Sequence, residues 1–267
     1  MKILLYCVAR NGSHRMREPQ LGLNGKALQF VVESNLAAAL SEIRQRETCL
    51  TTESATDYHR VIACLHEERT VIPFRFGAFF DSISHVRQLL RTHRDRYERM
   101  LAMLDGCDEM GLRILLDGKC LDDDSSHPAE SVATGETARS GPSPGTTYLA
   151  RRRSHYSRDL LLQDITQRTM DKHANHFNGL FAAVNYERAV ECRHEGKPSV
   201  MVSLYFLVPR VKKKRFLDAF QALYGHQRSR ALLTGPWPPY NFVVMDLGQE
   251  GPRSSGSKVC KVQPSRV

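Results

Sequence analysis

The stretch TGPWPPYNFV, from Thr234 to Val243, is the most constrained segment of this chain. It holds three of the twelve prolines, the only tryptophan, a tyrosine and a phenylalanine. Proline fixes φ, lacks a backbone donor and pushes the preceding residue toward extended geometry, so residues 235–239 cannot be helical. We therefore predict a rigid aromatic corner that leads into a strand from Tyr240 onward. The aromatic corner consists of Gly235, Pro236, Trp237, Pro238, Pro239 and Tyr240.

The prolines of the corner also fit a polyproline II ligand that is presented to another domain. Packing is the favoured interpretation, because large aromatic side chains bury the most area and apolar residues flank the segment. The corner then either closes the second half of the chain or reaches back to the first half. If Trp237 is fully buried, Trp237→Ala should cost about 3–5 kcal/mol.

Length and charge indicate two domains with unequal electrostatics. A chain of 267 residues exceeds the usual size of one domain, and 41% hydrophobic with 25% charged residues is typical of globular proteins. The net charge is +9, and residues 145–247 carry 16 basic and 8 acidic residues, a net +8. The basic excess thus belongs to the second half.

The seven cysteines are scattered without a C-x-x-C pair. This usage suits a reducing cytoplasm and predicts neither a disulfide framework nor a zinc site. The longest apolar runs are shorter than the roughly 18–20 residues of a membrane span, so no membrane association is expected. Residues 3–9 follow the first lysine without the features of a leader, and we interpret them as a strand.

The first half, residues 1–121, has the pattern of an α+β domain with two helices packed on one face of a sheet. Strands are predicted over 3–9, 28–32, 71–80 and 112–116, with helices over 54–68 and 82–104; residues 35–43 fit either a helix or a strand. Pro73 lacks a ladder donor, which places residues 71–80 at a sheet edge or a bulge. We expect a variant of the ferredoxin-like layout.

The composition changes at residues 122–145, which are rich in Asp, Ser, Thr, Gly and Pro and predict a flexible linker. Residues 146–247 then predict a second α+β domain with a long leading helix over 146–176, strands over 180–187 and 199–208, and a helix around Phe216. Residues 248–267 have the composition of a disordered tail.

No catalytic, cofactor or metal motif is found. His173 and His176 are three residues apart on the long helix, a spacing that suits a metal, but no further ligands complete the set. Nucleophile-elbow, zinc-protease, dinucleotide and phosphate-loop patterns are absent from the sequence. We therefore expect neither an enzyme nor a cofactor.

Two basic clusters, residues 151–153 and Arg210 with residues 212–215, raise the alternative of a basic RNA-binding module. An RNA-binding sheet needs exposed aromatic residues for stacking. Tyr205 and Phe206 lie in an apolar run that is typical of a strand buried on both faces. Nucleic acid is therefore the less favoured partner, and solvated helix ends are the favoured explanation of the clusters.

Five motifs resemble the gas vesicle protein F and L family. They are VIPFRFG at 71–77, Tyr97-x-x-x-Leu101 with Leu104-Asp-Gly106 and Glu109, GTTYL at 145–149, FLVPR at 206–210, and LTGPWPPYNFV at 233–243. They run in the same order as in the family and cover residues 1 to about 247. The last motif is the most specific one.

This resemblance implies two α+β domains and a non-enzymatic accessory or minor structural protein of gas vesicle formation. It implies binding to the small hydrophobic shell protein and to other gas vesicle proteins, in the cytoplasm or on the gas-facing side of the shell. An aggregation-prone shell subunit needs an apolar groove or a free strand edge. Residues 71–80 offer such an edge, and the candidate partner-binding residues are Pro73, Arg75, Phe76 and Gly77.

Overall fold

A computed structural model describes residues 1–12, 21–44, 51–121, 144–225, 230–243 and 260–261. Within them the chain forms two five-stranded sheets, each packed with helices, which confirms the α+β class. The predicted linker lies outside the described residues except for its last two positions, which begin the long helix. None of the described helices combines the length and the apolar character of a membrane span.

The elements of the first half keep most of the predicted positions. They are β1 (Lys2–Arg10), β2 (Gln29–Glu33), β3 (Leu36–Ile43), α1 (Thr52–Glu68), β4 (Val71–Pro73), β5 (Phe79–Phe80), α2 (Ile83–Thr92) and α3 (Arg94–Met103).

The elements of the second half follow, and the first of them begins before the predicted linker. They are β6 (Cys107–Asp117), α4 (Pro144–His176), β7 (Ala183–His194), β8 (Lys197–Pro209), α5 (Lys213–Tyr224), β9 (Ala231–Trp237) and β10 (Cys260–Lys261).

Two local predictions need correction. The helix predicted over 82–104 is two helices, because the backbone of His93, with φ −108° and ψ 17°, leaves helical geometry. In the tail predicted to be disordered, Cys260 and Lys261 pair with β7. The other tail residues lie outside the described part of the chain. Residues 35–43, which fit both a helix and a strand, are a strand because they pair along the whole length of β1.

The first sheet has the order β2-β3-β1-β4, with β5 also paired to β1. Helices cover both of its faces, whereas the sequence pattern predicted both helices on one face. Ile3, Leu5 and Val8 of β1 pack toward α2 and α3 in one core, and Leu4 and Tyr6 pack toward α1 in another. Residues 3–9 are consequently all buried. This explains why β1 is apolar without the alternation of a half-exposed strand.

The second sheet has the order β10-β7-β8-β6-β9, so β6 lies between β8 and β9. The strand predicted over 112–116 was assigned to the first sheet, and this assignment was wrong. Its pairing with β8 is continuous from Cys107 to Asp117. Pairing partners far apart in the chain cannot be read from hydrophobic periodicity, because periodicity reports only the local conformation of the strand.

The ferredoxin-like prediction was also made for the wrong half. The first sheet is connected β-β-β-α-β-β-α-α, whereas the second follows β6-α4-β7-β8-α5-β9. This β-α-β-β-α-β order is the ferredoxin-like connection, and all pairs in it are antiparallel. Its first strand precedes residues 122–143 and the other strands follow them.

The helices α4 and α5 pack on one face of the second sheet around an aromatic cluster. Phe177 of α4 stacks on Phe216 of α5 with ring centroids 4.5 Å apart, and Phe206 of β8 meets both rings edge-on or tilted. The neighbouring Tyr205 projects to the opposite face, which α4 and α5 do not cover. The second sheet therefore has one helix-covered face and one face turned toward the first half.

Because β6 is a central strand, cutting the chain within residues 122–143 should leave two fragments that remain bound. We expect a protease site inserted there to yield fragments that co-elute in native buffer and separate in denaturant, measured by size-exclusion chromatography. An uncut chain with the same insertion is the control. Fragments that separate in native buffer would mean that the two halves fold as independent units.

Candidate functional site

The edge segment, residues Val71–Phe80, runs along one side of β1 as an interrupted strand. At one end Pro73 pairs with Cys7, and at the other Phe80 pairs with Ile3. Phe74 donates to the carbonyl oxygen of Tyr6 and Ala78 accepts from the N–H of Leu5, so the residues that bulge out between the two pairings are 75–77. The predicted edge with a bulge is therefore present in the first sheet.

The four candidate partner-binding residues lie at this bulge with different exposure. The ring of Pro73 is buried, Arg75 is exposed, and Phe76 and Gly77 are half-buried. Phe76 packs on Tyr58 of α1 with ring centroids 5.0 Å apart. Gly77 has φ +99°, which favours glycine at this position. Arg75 and part of Phe76 are thus the accessible members of the set.

The aromatic corner begins with a bulge in β9. Trp237 pairs with Glu109 and Thr234 pairs with Gly111, so two residues of β9 oppose one residue of β6. Gly235 has φ +110°, and a Cβ on it would lie 2.7 Å from the carbonyl oxygen of Glu109. The glycine is required on both counts, and the bulge sets Trp237 opposite Glu109.

The remainder of the corner differs from the prediction. Residues 240–242 form a 3-10 turn, whereas a strand was expected from Tyr240 onward. Pro238 and Pro239 are buried, but the side chain of Trp237 is 40% exposed. Two of the three proline rings therefore occupy the buried positions of the corner, while Pro236 and the indole of Trp237 lie at the surface.

The corner reaches back to the first half of the chain. The hydroxyl of Tyr240 is hydrogen-bonded to Nδ1 of His59 on α1, 3.0 Å away. Phe242 is 2% exposed and belongs to the core formed by β1, α2 and α3. Both sequence-based alternatives for the corner are observed, because it pairs with β6 in the second sheet and also contacts the first half.

The corner, α1 and the uncovered face of the second sheet enclose an open cleft of about 470 Å³. We call it the corner cleft, and its walls are His59, Glu109, Tyr205, Trp237, Tyr240 and Asn241. Gly111, Arg113 and Thr234 also line it. Tyr205 was expected to be buried on both faces but is half-buried and lines this cleft.

Glu109 supplies a carboxylate at the bottom of the corner cleft. Its side chain is 3% exposed, and it accepts hydrogen bonds from the backbone N–H and the Nδ2 of Asn241, at 2.8 and 2.7 Å. Burial raises the pKa of Glu109 to about 7, and the negative charge of Glu187 adds to the shift. Glu109 forms no ion pair with a described lysine, arginine or histidine. Burial also lowers the pKa of His59.

The neighbouring Asp108 joins the two halves through a different network. His66 Nε2 of α1 donates to Asp108 Oδ1 at 3.1 Å, and Arg210 Nε donates to the same oxygen at 2.9 Å. Arg210 also donates to the carbonyl oxygen of His66, and Lys213 Nζ lies 3.6 Å from Asp108 Oδ2. We call these four residues the Asp108 network. Sequence reasoning missed both acids as functional candidates, although their adjacency inside an apolar strand was a signal.

The histidines that raised a metal hypothesis have separate partners. His173 Nδ1 donates to the carbonyl oxygen of Thr169 at 2.6 Å, and its Nε2 accepts from the hydroxyl of Tyr224. His176 Nε2 donates to the carbonyl oxygen of Ala219 at 3.2 Å. In the described part of the chain no group of three or more His, Cys, Asp or Glu side chains is arranged to hold a metal ion.

Comparison with known proteins decides the family. The model for gas vesicle synthesis protein GvpL/GvpF matches residues 2–244. The chain belongs to the GvpL/GvpF family. It is 25% identical to gas vesicle protein L of a Streptomyces species, over 90% of this chain and 91% of that protein. It is 24% identical to gas vesicle protein F1 of Halobacterium salinarum, over 86% and 87%.

The fold agrees with a solved member of the GvpL/GvpF family. The crystal structure of GvpF from Microcystis aeruginosa superposes with a TM-score of 0.64 at 14% identity, and covers 91% of this chain and 99% of that one. Membership in the GvpL/GvpF family connects this chain with gas vesicle formation. The resemblance inferred from the sequence motifs is thereby confirmed.

Proposed function

We propose that this GvpL/GvpF protein is a non-enzymatic accessory protein of gas vesicle formation that binds the major shell protein and assists its assembly. Family membership supports a role in gas vesicle formation. The edge segment along β1 is the observation that supports binding of the shell protein. No catalytic chemistry or cofactor is part of this proposal.

A strand edge suits a small, hydrophobic, aggregation-prone subunit. The backbone groups of an edge can pair with an incoming strand, and this pairing would compete with the pairing of shell subunits to each other. In the edge segment Val71, Ile72 and Phe74 are fully buried, so the accessible backbone runs from residue 75 to residue 80, and the bulge at 75–77 limits its pairing to short pieces. A partner would therefore be held and later released rather than built into a continuous sheet.

The side chains at the bulge would supply specificity. Arg75 is exposed, and Phe76 offers a partly exposed ring next to it. An arginine beside an aromatic ring combines a charge with an apolar contact, and both residue types are enriched at protein interfaces. Pro73 and Gly77 shape the bulge. We place the complex with shell subunits in the cytoplasm during assembly, or on the gas-facing side of the shell.

Reversing the charge of Arg75 tests this assignment. We expect Arg75→Glu to weaken capture of the shell protein about tenfold, equivalent to about 1.4 kcal/mol, because the exposed charge contacts the partner. The measurement is a quantitative pull-down of co-expressed shell protein by the full chain. Phe76→Ala should also weaken capture, and its melting temperature separates lost binding from lost packing on Tyr58.

Lys214→Glu is the matched control, since it makes the same charge change at an exposed position on α5. It should capture as much shell protein as the unaltered chain. If all variants capture equal amounts of shell protein, the edge segment is not the binding surface. If the unaltered chain captures no shell protein, the shell protein is not its partner.

A further inference from the structure

The corner cleft has the composition of a site for a positively charged side chain. Its base is the buried carboxylate of Glu109, and its walls are the rings of Trp237, Tyr205 and Tyr240. The exposed carboxylate of Glu187 is close enough to act on Glu109. We propose that the corner cleft binds an arginine side chain of a partner protein. The cleft shares no lining residue with the edge segment, and this proposal does not rest on the shell-protein proposal.

The carboxylate of Glu109 has unused capacity for hydrogen bonds. Its two oxygens can accept about four bonds, and Asn241 donates two of them. A buried carboxylate without a cation is costly, and an incoming guanidinium would reduce that cost by direct pairing. Asn241 holds the carboxylate in place before the partner arrives, since its two donors fix both oxygens.

The aromatic walls favour arginine over other cations. A guanidinium is planar and stacks on aromatic faces, which attract cations through their quadrupole. Trp237 is 40% exposed at the mouth, so its ring can also cover the apolar stem of an arginine side chain. His59 does not compete as a cation, because burial lowers its pKa and its Nδ1 is bonded to Tyr240.

Other charges near the cleft agree with this assignment. Arg113 also lines the cleft, where its charge acts on Tyr205, but it is not among the groups that shift the pKa of Glu109. The negative charge of Glu187 acts on Glu109 in the cleft, and the two carboxylates together would repel the phosphates of a nucleic acid. The cleft therefore selects for a cation.

The cleft contains its own spectroscopic probe, because Trp237 is the only tryptophan of the chain. The experiment titrates the full chain with N-acetyl-arginine amide at about pH 8 and follows tryptophan fluorescence. We expect a saturable change, and no such change with N-acetyl-citrulline amide, which has nearly the same shape without the charge. Binding should weaken toward about pH 5.5, because the carboxyl of Glu109, with its pKa raised to about 7, becomes protonated.

Glu109→Gln should raise the dissociation constant of the arginine probe at least about tenfold, since it removes the charge and keeps the size. Glu187→Gln should weaken binding about threefold. Because Glu187 is exposed and outside the core, this variant still tests the site if Glu109→Gln fails to fold. Asp218→Asn, an exposed acid on α5, is the matched control and should bind like the unaltered chain.

Several results would overturn the proposal. They are the absence of a saturable response to the arginine probe, an equal response to the citrulline probe, and unchanged binding in both glutamate variants. A response to a single-stranded oligonucleotide in place of the arginine probe would also overturn it. The shell-protein pull-down is independent of these titrations, so failure of one experiment does not imply failure of the other.

Discussion

Phe242→Ala is expected to lower the free energy of unfolding by about 3–5 kcal/mol. The ring is 2% exposed, and it belongs to a core that also contains Tyr97 and Leu101 of α3 and Leu207 of the second sheet. Removing it leaves a cavity between two halves that a flexible side chain cannot refill. Chemical denaturation of the full chain measures the loss.

Trp237→Ala is the matched control in the same corner. Its ring is 40% exposed, so the transfer energy lost is smaller and we expect a cost of about 1–2 kcal/mol. This replaces the larger value expected for a fully buried indole. If Trp237→Ala destabilises the chain as much as Phe242→Ala, the corner is held by the indole and the assignment of Phe242 as its anchor is wrong.

Asp108→Ala is expected to cost about 3 kcal/mol, because it leaves His66 and Arg210 without their shared partner. This cost is at the low end of the range for losing one partner of a buried ion pair, because the side chain of Arg210 is 35% exposed. Equilibrium denaturation provides the measurement. Asp218→Ala provides the control, because this aspartate on α5 is exposed and lies outside the Asp108 network.

The Asp108 network also predicts a pH dependence. Burial works against the charge of Asp108, but hydrogen bonds from His66 and Arg210 outweigh it and hold the pKa of the carboxyl below its usual value. A depressed pKa stabilises the folded chain above the ordinary aspartate value of about 3.9, and this contribution is lost as the pH falls through the folded-state pKa. Asp108→Asn should flatten that acid limb. An unchanged acid limb would contradict the network as its source.

The sequence predicted some features of the corner cleft and not others. The motif TGPWPPYNFV predicted a non-helical, rigid corner, and Gly235 with φ +110° shows why this glycine and these prolines occur together. The exposure of Trp237 was not predictable, because burial depends on which surfaces the corner meets. Glu109 stood in one of the family motifs, yet its role follows only from Asn241, which is 132 residues away and donates to it twice.

By itself the sequence determined most of the local conformations and the family of this protein. The apolar run at 3–9, the periodicity of α1 and the proline-rich corner depend on neighbours within a few residues, and short-range sterics and periodicity encode them. Only the tertiary structure decided that β6 crosses to the second sheet and that the corner returns to the first half. Such pairings depend on burial and hydrogen bonding between segments far apart in the chain, and hydrophobic periodicity does not identify the strand with which a given strand pairs.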